Sequence, residues 1–437
     1  MLDRGIAFET FCTQLKGGLG KLRRTQLARD AAWLLIFNVT SRAIAFFGTA
    51  YGARCLGPVN LGISAVVQTT AQQAALIYNG GFDTIGAREI AADQKCCPAV
   101  TETVILFRLC LALVASVIWA IFTFMVIGES QRLAWLLGVP LMLTTASGIV
   151  FAFQGLEKLP IQSAITAGGA LLTSAAYFLF FTRGMFLGAD LIVISSVGLV
   201  VVVISWAAYF RLFRCLPLGK TTMQQVFSLL HESWRYWILA VLVYFYSVFQ
   251  IPLVAWLLGA REVGIFRSAF LMAAGLDLFF GSINNLLLPR LVIWRQQGLQ
   301  VMWRKQSRLL LIFVGIGIPT VTAAILVAPF VYRVLLGEAF TGGIVVFQIL
   351  AVGRLVVFLG QIYAWGLAAT RQDTHFLFAC LSGAVSNVAL NLVCIPHFGL
   401  RGVAVVSLAS ESLVVSSCYF FMRRFVLGSE PTIGKDK

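Results

Sequence analysis

Residues 56–63 read Leu56-Gly57-Pro58-Val59-Asn60-Leu61-Gly62-Ile63 and lie between the first two long apolar runs of the chain. A near copy follows 202 residues later, Leu258-Gly259-Ala260-Arg261-Glu262-Val263-Gly264-Ile265, and it also separates two apolar runs. Leucine, glycine, glycine and isoleucine recur at the same offsets in both. Because the two copies occupy the same place in the hydropathy profile, we interpret the chain as two similar halves.

The composition identifies the class of protein. Apolar residues make up 59% of the chain, charged residues 12%, and the mean hydropathy is +0.89. A soluble domain carries about 25% charged residues. The apolar runs are continuous over about 20 residues instead of alternating, which is the length of a helix that crosses a bilayer. We therefore predict an all-α polytopic membrane protein.

Twelve apolar spans are predicted, six on each side of a longer polar segment. We expect a basic N-terminal segment, an N-lobe of six helices, an amphipathic linker, a C-lobe of six helices and a tail, at residues 1–30, 31–213, 214–234, 235–422 and 423–437. Within the linker region, apolar residues at helical spacing over 218–235 predict a helix that lies on the membrane surface.

The distribution of positive charge predicts the orientation. With the N-terminus inside, 23 of the 33 lysines and arginines fall in segments on the cytoplasmic side, 7 fall on the other side and 3 fall within spans. Cytoplasmic loops of membrane proteins collect lysine and arginine. The asymmetry therefore predicts that both termini are cytoplasmic.

Four motifs, in order, resemble the polysaccharide-export flippases (Wzx-type) of the multidrug/oligosaccharidyl-lipid/polysaccharide (MOP) exporter superfamily. Residues 53–62 resemble the signature that follows the first helix of that family. Residues 81–89 resemble the end of its second helix, and residues 288–291 the end of its eighth. Residues 387–404 resemble the link between its last two helices, except that Val403 stands where alanine is usual.

This resemblance implies a MATE/MOP-like fold: two six-helix lobes related by a pseudo-two-fold axis, around a cavity that opens to each side in turn. The implied cargo is a saccharide linked to an isoprenoid (undecaprenyl) diphosphate, such as an O-antigen or exopolysaccharide repeat unit. The implied step is its transfer from the cytoplasmic to the outer leaflet of a bacterial inner membrane. Other membrane proteins of polysaccharide assembly are the expected protein partners.

Arginines within the spans are the first candidates for contact with such a cargo. Arg42 lies in the middle of the first span, and a charge there costs at least about 2.5–3.5 kcal/mol unless it faces water or the bundle interior. We expect it to bind cargo, the alternative being an ion pair with Asp277 or Glu411. Arg354, which stands alone in its span, and Arg267 are predicted to line the cavity, with snorkelling to the interface as the alternative.

Acidic and amide side chains form a second group of candidates. Asp277, Glu411 and Asp83 could take up a coupling ion or pair with an arginine. The amides could hydrogen-bond to sugar hydroxyls or to neighbouring helices, and the candidates are Gln68, Gln72, Asn284, Asn387 and Asn391. Gln68 and Gln72 share one helix face.

No catalytic arrangement, metal-ligand spacing or phosphate-binding loop is present in the sequence, so we expect a transporter without a cofactor. Its energy would come from a proton or sodium gradient or from the membrane potential. Two alternatives remain at this point. One is a drug/cation antiporter of the same fold, and the other is a membrane polymerase, ligase or glycosyltransferase that uses the same lipid carriers.

Overall fold

The computed structural model describes residues 3–79, 81–213, 248–284, 287–370 and 372–428, together with residues 234, 237, 238, 240–242 and 244. All regular structure in these ranges is helical, as predicted. Eight of the described helices are long and apolar enough to cross a membrane. The predicted surface helix at 218–235 and the seventh predicted span lie largely outside the described ranges.

The N-terminal part contains eight α-helices. They are α1 (Asp3–Asn79), α2 (Phe82–Ala92), α3 (Cys97–Val126), α4 (Glu129–Leu136), α5 (Gly138–Ala146), α6 (Val150–Gly155), α7 (Leu159–Phe180) and α8 (Ala189–Phe213). A short 3₁₀ turn, Gln94–Cys96, precedes α3. The fourth predicted span is thus divided among α4, α5 and α6.

The C-terminal part contains six described α-helices. They are α9 (Gln250–Leu258), α10 (Ala260–Asn284), α11 (Leu287–Gln296), α12 (Leu299–Val331), α13 (Gly343–Ala369) and α14 (Asp373–Gly428). A π-helical turn, Tyr332–Leu336, and a 3₁₀ turn, Glu338–Phe340, lie between α12 and α13. Both α1 and α14 contain a non-helical residue, Gly57 and Gly399 respectively, and each is long enough for two spans. The count of twelve spans stays a prediction.

Buried apolar side chains divide between the two parts of the chain. The largest cluster takes its members from residues 251–426, with only Ala50, Ala53 and Ala65 added from the N-terminal part. Three smaller clusters consist of residues between 55 and 209. Each part therefore has a core of its own. We call them the N-lobe (α1–α8) and the C-lobe (α9–α14), while the exact boundaries stay predictions.

The two sequence copies adopt the same backbone conformation. Gly57 has φ 76° and ψ 170°, and Gly259 has φ 91° and ψ 173°. Only glycine enters this region at little cost, since a side chain would clash with its own backbone. The two glycines therefore turn the chain in the same way between the first two helical segments of each lobe.

The two copies also touch each other, and the contact is reciprocal. A Cβ atom added to Gly62 would overlap the carbonyl oxygen of Ala260, and one added to Gly264 would overlap that of Pro58. Gly264 stands 202 residues after Gly62, and Ala260 stands 202 residues after Pro58. The two helices therefore cross at a local two-fold axis, with their backbones in contact.

Further contacts join the lobes at both ends. The Nη1 atom of Arg54 donates a hydrogen bond to the carbonyl of Val334 over 2.6 Å. Towards the other end, Tyr244 donates to the carbonyl of Thr69 over 3.0 Å and Trp237 to that of Leu76 over 2.7 Å.

Candidate functional site: charged and polar side chains inside the lobes

A cluster of three charged side chains lies in the C-lobe, and each comes from a different helix. The Nε atom of Arg354 in α13 is 3.6 Å from Oδ2 of Asp277 in α10, and its Nη1 atom is 3.6 Å from Oε1 of Glu411 in α14. The guanidinium also lies 5.3 Å from the centre of the Phe270 ring. Gly353 leaves room for Glu411, whose Oε2 is 2.6 Å from where a Cβ atom would be.

This cluster corrects the interpretation of Arg354 as an isolated cation. Asp277 and Glu411 are distant from it in sequence, which is why the pairing was not predicted. It also removes the pairing considered for Arg42, because both carboxylates face Arg354. Two carboxylates share one guanidinium, so the cluster carries a net negative charge with both acids ionised. Such a cluster can accept a proton or a monovalent cation, which keeps the predicted coupling role open.

Arg42 lies one turn before Phe46 in α1. The ring of Phe46 packs against the C-lobe, 3.2 Å from where a Cβ atom of Gly275 would be, and the i, i+4 spacing puts Arg42 near that face of the helix. The side chain of Arg42 is exposed, and it makes no hydrogen bond or ion pair with another described residue. Arg42 is therefore a cation that no described carboxylate neutralises.

A second polar group surrounds Asp190 in the N-lobe. Asp190 in α8 is 3% exposed and accepts a 2.7 Å hydrogen bond from Oγ of Ser64. The amide of Gln68 donates to its other oxygen over 3.5 Å. Arg267 in α10 of the C-lobe acts electrostatically on this carboxylate, beyond salt-bridge distance. Cavity lining by Arg267 stays a prediction.

A cavity of about 430 Å³ opens within the N-lobe, beside Gln68. Side chains and backbone from α1, α5, α7 and α8 line it, together with the segment between α5 and α6. Both predicted glutamines, Gln68 and Gln72, are among the lining residues. The structure thus brings these two together at one cavity, and sugar binding by them stays a prediction.

The remaining predicted amides are not gathered at one site. Asn387 and Asn391 are 1% and 0% exposed, and the amide of Asn391 donates to Oδ1 of Asn387 over 2.9 Å. This pair lies within α14, away from any exposed surface. Asn284 is at the end of α10, and its side chain is outside the described part of the structure.

Asp83 pairs with an arginine, which is one of the two roles expected for it. Its Oδ1 is 3.0 Å from Nη2 of Arg108, which is 1% exposed. The ring of Phe151 lies 5.4 Å from the same guanidinium.

The chain was compared with known proteins. The sequence profile described as polysaccharide biosynthesis protein matches residues 27–293. The probable low-salt glycan biosynthesis flippase Agl15 of Haloferax volcanii is 23% identical over 405 residues, which cover 88% of this chain and 81% of that protein.

Solved structures share the fold at low sequence identity. The lipid II flippase MurJ in its inward closed conformation superposes with a TM-score of 0.72 at 12% identity, over 90% of this chain and 87% of that one. A MOP superfamily transporter from Pyrococcus furiosus gives 0.57 at 14% identity, over 91% and 96%. The chain therefore belongs to the polysaccharide biosynthesis protein family, and its fold is that of the MOP superfamily of membrane transporters.

Proposed function

We propose that the protein is a flippase for a saccharide linked to an isoprenoid diphosphate. It moves this lipid from the cytoplasmic to the outer leaflet of the inner membrane by alternating access between its two lobes. Both termini are cytoplasmic in this proposal, and the protein acts beside other membrane proteins of polysaccharide assembly. The family supports the substrate class, since the relative from Haloferax volcanii is itself described as a probable glycan biosynthesis flippase.

The single observation that carries the proposal is the uncompensated charge of Arg42. Arg354, another arginine inside the helices, lies 3.6 Å from two carboxylates of the protein. Arg42 is exposed and has no described carboxylate beside it. A charge at that depth is costly unless water or a counterion accompanies it. An anionic cargo with phosphate oxygens is the counterion that a forked guanidinium matches best.

The energy source in this proposal is an ion gradient or the membrane potential. Each elementary charge moved across the membrane is worth about 2.3 kcal/mol per 100 mV, so outward movement of an anionic diphosphate is favoured when the inside is negative. Protons or sodium ions taken up by Asp277 and Glu411 would neutralise these carboxylates during the return step of the empty protein. The net negative charge of the Arg354 cluster supports this role.

Substitution of Arg42 tests the cargo-binding role. Hydrogen bonds to charged groups contribute about 1.5–3 kcal/mol, so Arg42→Ala should reduce export on the order of ten- to a hundredfold. Arg42→Lys keeps the positive charge but loses the forked set of guanidinium donors, so it should retain part of the export. Arg42→Glu should abolish export. Export is measured as surface polysaccharide, with the lipid-linked intermediate that accumulates in the membrane as a second readout.

Protein abundance in the membrane separates binding from folding in this experiment. Arg132→Ala is the matched control, because Arg132 lies outside the predicted spans and pairs only with Glu129 among the described residues. Full export by a normally abundant Arg42→Ala protein contradicts the role. A change in resistance to cationic drugs, with polysaccharide unaffected, would favour the antiporter instead.

A further inference from the structure

The N-lobe cavity exists because the fourth predicted span is interrupted. Helix α5 ends at Ala146, and α6 begins only at Val150. At membrane depth, carbonyl groups freed by such an interruption must find donors, and irregular backbone is tolerated only inside the protein or beside a cavity. Trp206 donates to the carbonyl of Ser147 over 3.1 Å, and Arg108 to that of Gly148 over 3.5 Å.

Side chains of other helices therefore donate hydrogen bonds to the carbonyl groups of the interruption. The interruption itself forms one wall of the cavity. Gly148, Ile149 and Val150 are lining residues. In membrane transporters, interrupted helices near the middle of the membrane commonly form substrate sites.

The cavity combines apolar lining residues with uncharged polar side chains. None of the described residues that line it carries a charge, and six carry an amide or a hydroxyl: Gln68, Gln72, Thr144, Thr145, Gln162 and Ser205. The threonine hydroxyls donate to carbonyls of their own helix and keep their lone pairs for other donors. The amide of Gln72 is exposed and makes no hydrogen bond to another described residue. Such groups suit a ligand rich in hydroxyls, and they offer nothing to a phosphate.

The cavity lies beside the boundary between the lobes. Gln68, one of its lining residues, donates to Asp190 over 3.5 Å, and Arg267 of the C-lobe acts electrostatically on that carboxylate. A cargo that is held between the lobes by its diphosphate has this neutral, hydrogen-bonding cavity beside it.

We propose that the N-lobe cavity is the subsite for the uncharged saccharide of the cargo, while the diphosphate stays between the lobes. The inference rests on the proposed function and specifies where the cargo is recognised. Gln72 and Thr145 are its specificity residues, because both line the cavity and both are exposed.

The test compares two lipids on the full-length protein in nanodiscs, with binding measured by native mass spectrometry. One probe is undecaprenyl diphosphate without a glycan. The other is the lipid-linked saccharide pool extracted from cells that lack this protein. Gln72→Leu and Thr145→Val should each weaken binding of the saccharide-bearing lipid on the order of three- to tenfold, as expected for one lost hydrogen bond. Binding of undecaprenyl diphosphate should not change.

Two controls make the outcome specific. Gln348→Leu, the same substitution in α13 outside the cavity, should change neither affinity, whereas Arg42→Ala should weaken both. Equal losses for both probes in the cavity variants would mean that the cavity holds the isoprenoid chain, and this result would overturn the subsite. Unchanged affinities would overturn it as well. If the wild-type protein binds neither lipid, the proposed function fails first, and the subsite fails with it.

Discussion

Arg354 lies between two carboxylates on different helices, so its removal should do more than delete one charge. In Arg354→Ala the carboxylates of Asp277 and Glu411 would face each other without a cation. Breaking a buried pair costs roughly 3–5 kcal/mol, and we expect the lower end because Asp277 is 48% exposed. The expected result is a lower unfolding temperature of the purified protein.

A compensating variant tests this explanation. Arg354→Ala combined with Asp277→Asn and Glu411→Gln removes the repulsion and should recover most of the lost stability. Export should stay low in the recovered protein if the carboxylates take up the coupling ion. A triple variant no more stable than the single one would show that Arg354 stabilises the C-lobe by packing alone.

The sequence identified the intramembrane charges but not which of them pair with one another. Arg42, Arg267, Arg354, Asp277 and Glu411 were found because a charge inside an apolar run is conspicuous. Their pairing depends on which helices become neighbours, and no local pattern contains that information. Asp190 was missed because it follows Gly188 at the start of a span, where an acid is usually taken as interfacial. Burial against Ser64 could not be predicted from that position.

Helices α1 and α10 cross where the two copies of the sequence repeat are in direct contact. Gly62→Ala and Gly264→Ala each place a methyl group into a carbonyl group of the other lobe. Each should therefore destabilise the protein by about 1–3 kcal/mol, as overpacking does elsewhere. Because the contacts are reciprocal, the two variants should have similar effects. The double variant should cost less than their sum, since one separation relieves both overlaps.

Gly315→Ala is the control for this comparison. It lies within α12 and has no atom within 4 Å of the added methyl, so it should be neutral or slightly stabilising. Thermal unfolding of the purified variants gives the comparison directly. Strictly additive losses at Gly62 and Gly264 would mean that the two glycines act at separate contacts.

Among the individual elements, the eight-residue repeat at 56–63 and 258–265 was informative despite its short length. The turn shared by Gly57 and Gly259 agrees with the two similar halves predicted from their equal positions in the hydropathy profile. The interruption at Ser147–Ile149 was not predicted, because apolar residues continue on both sides and no proline is present. The pair Ser147-Gly148 was the available signal, since helices also kink at such pairs. The donors that stabilise it, Trp206 and Arg108, come from other helices, so the interruption depends on tertiary structure.

The architecture of the whole molecule was the easiest feature to predict. Bilayer thickness and the need to satisfy backbone hydrogen bonds leave an apolar chain few structures that can span the membrane. Composition and run length predicted the all-helical class, and the ordered motifs predicted the fold. What they could not supply is how the lobes meet. Contacts at both ends, through Arg54 on one side and Tyr244 on the other, depend on which of several conformations the lobes adopt.

The orientation of the whole molecule in the membrane is the last prediction. With 23 lysines and arginines on one side of the predicted spans and 7 on the other, the charge bias predicts cytoplasmic termini and an even number of spans. Reporter fusions after Lys158, Lys220, Arg304 and Lys437 should read as cytoplasmic. Fusions near Arg132, Arg183 and Glu338 should read as external.

The fusion after Lys220 is the most informative, because it falls in the predicted linker between the lobes. If that fusion reads as external while the N-terminus is inside, the first lobe has an odd number of spans. The lobes would then have opposite orientations, and a two-fold axis along the membrane normal could not relate them.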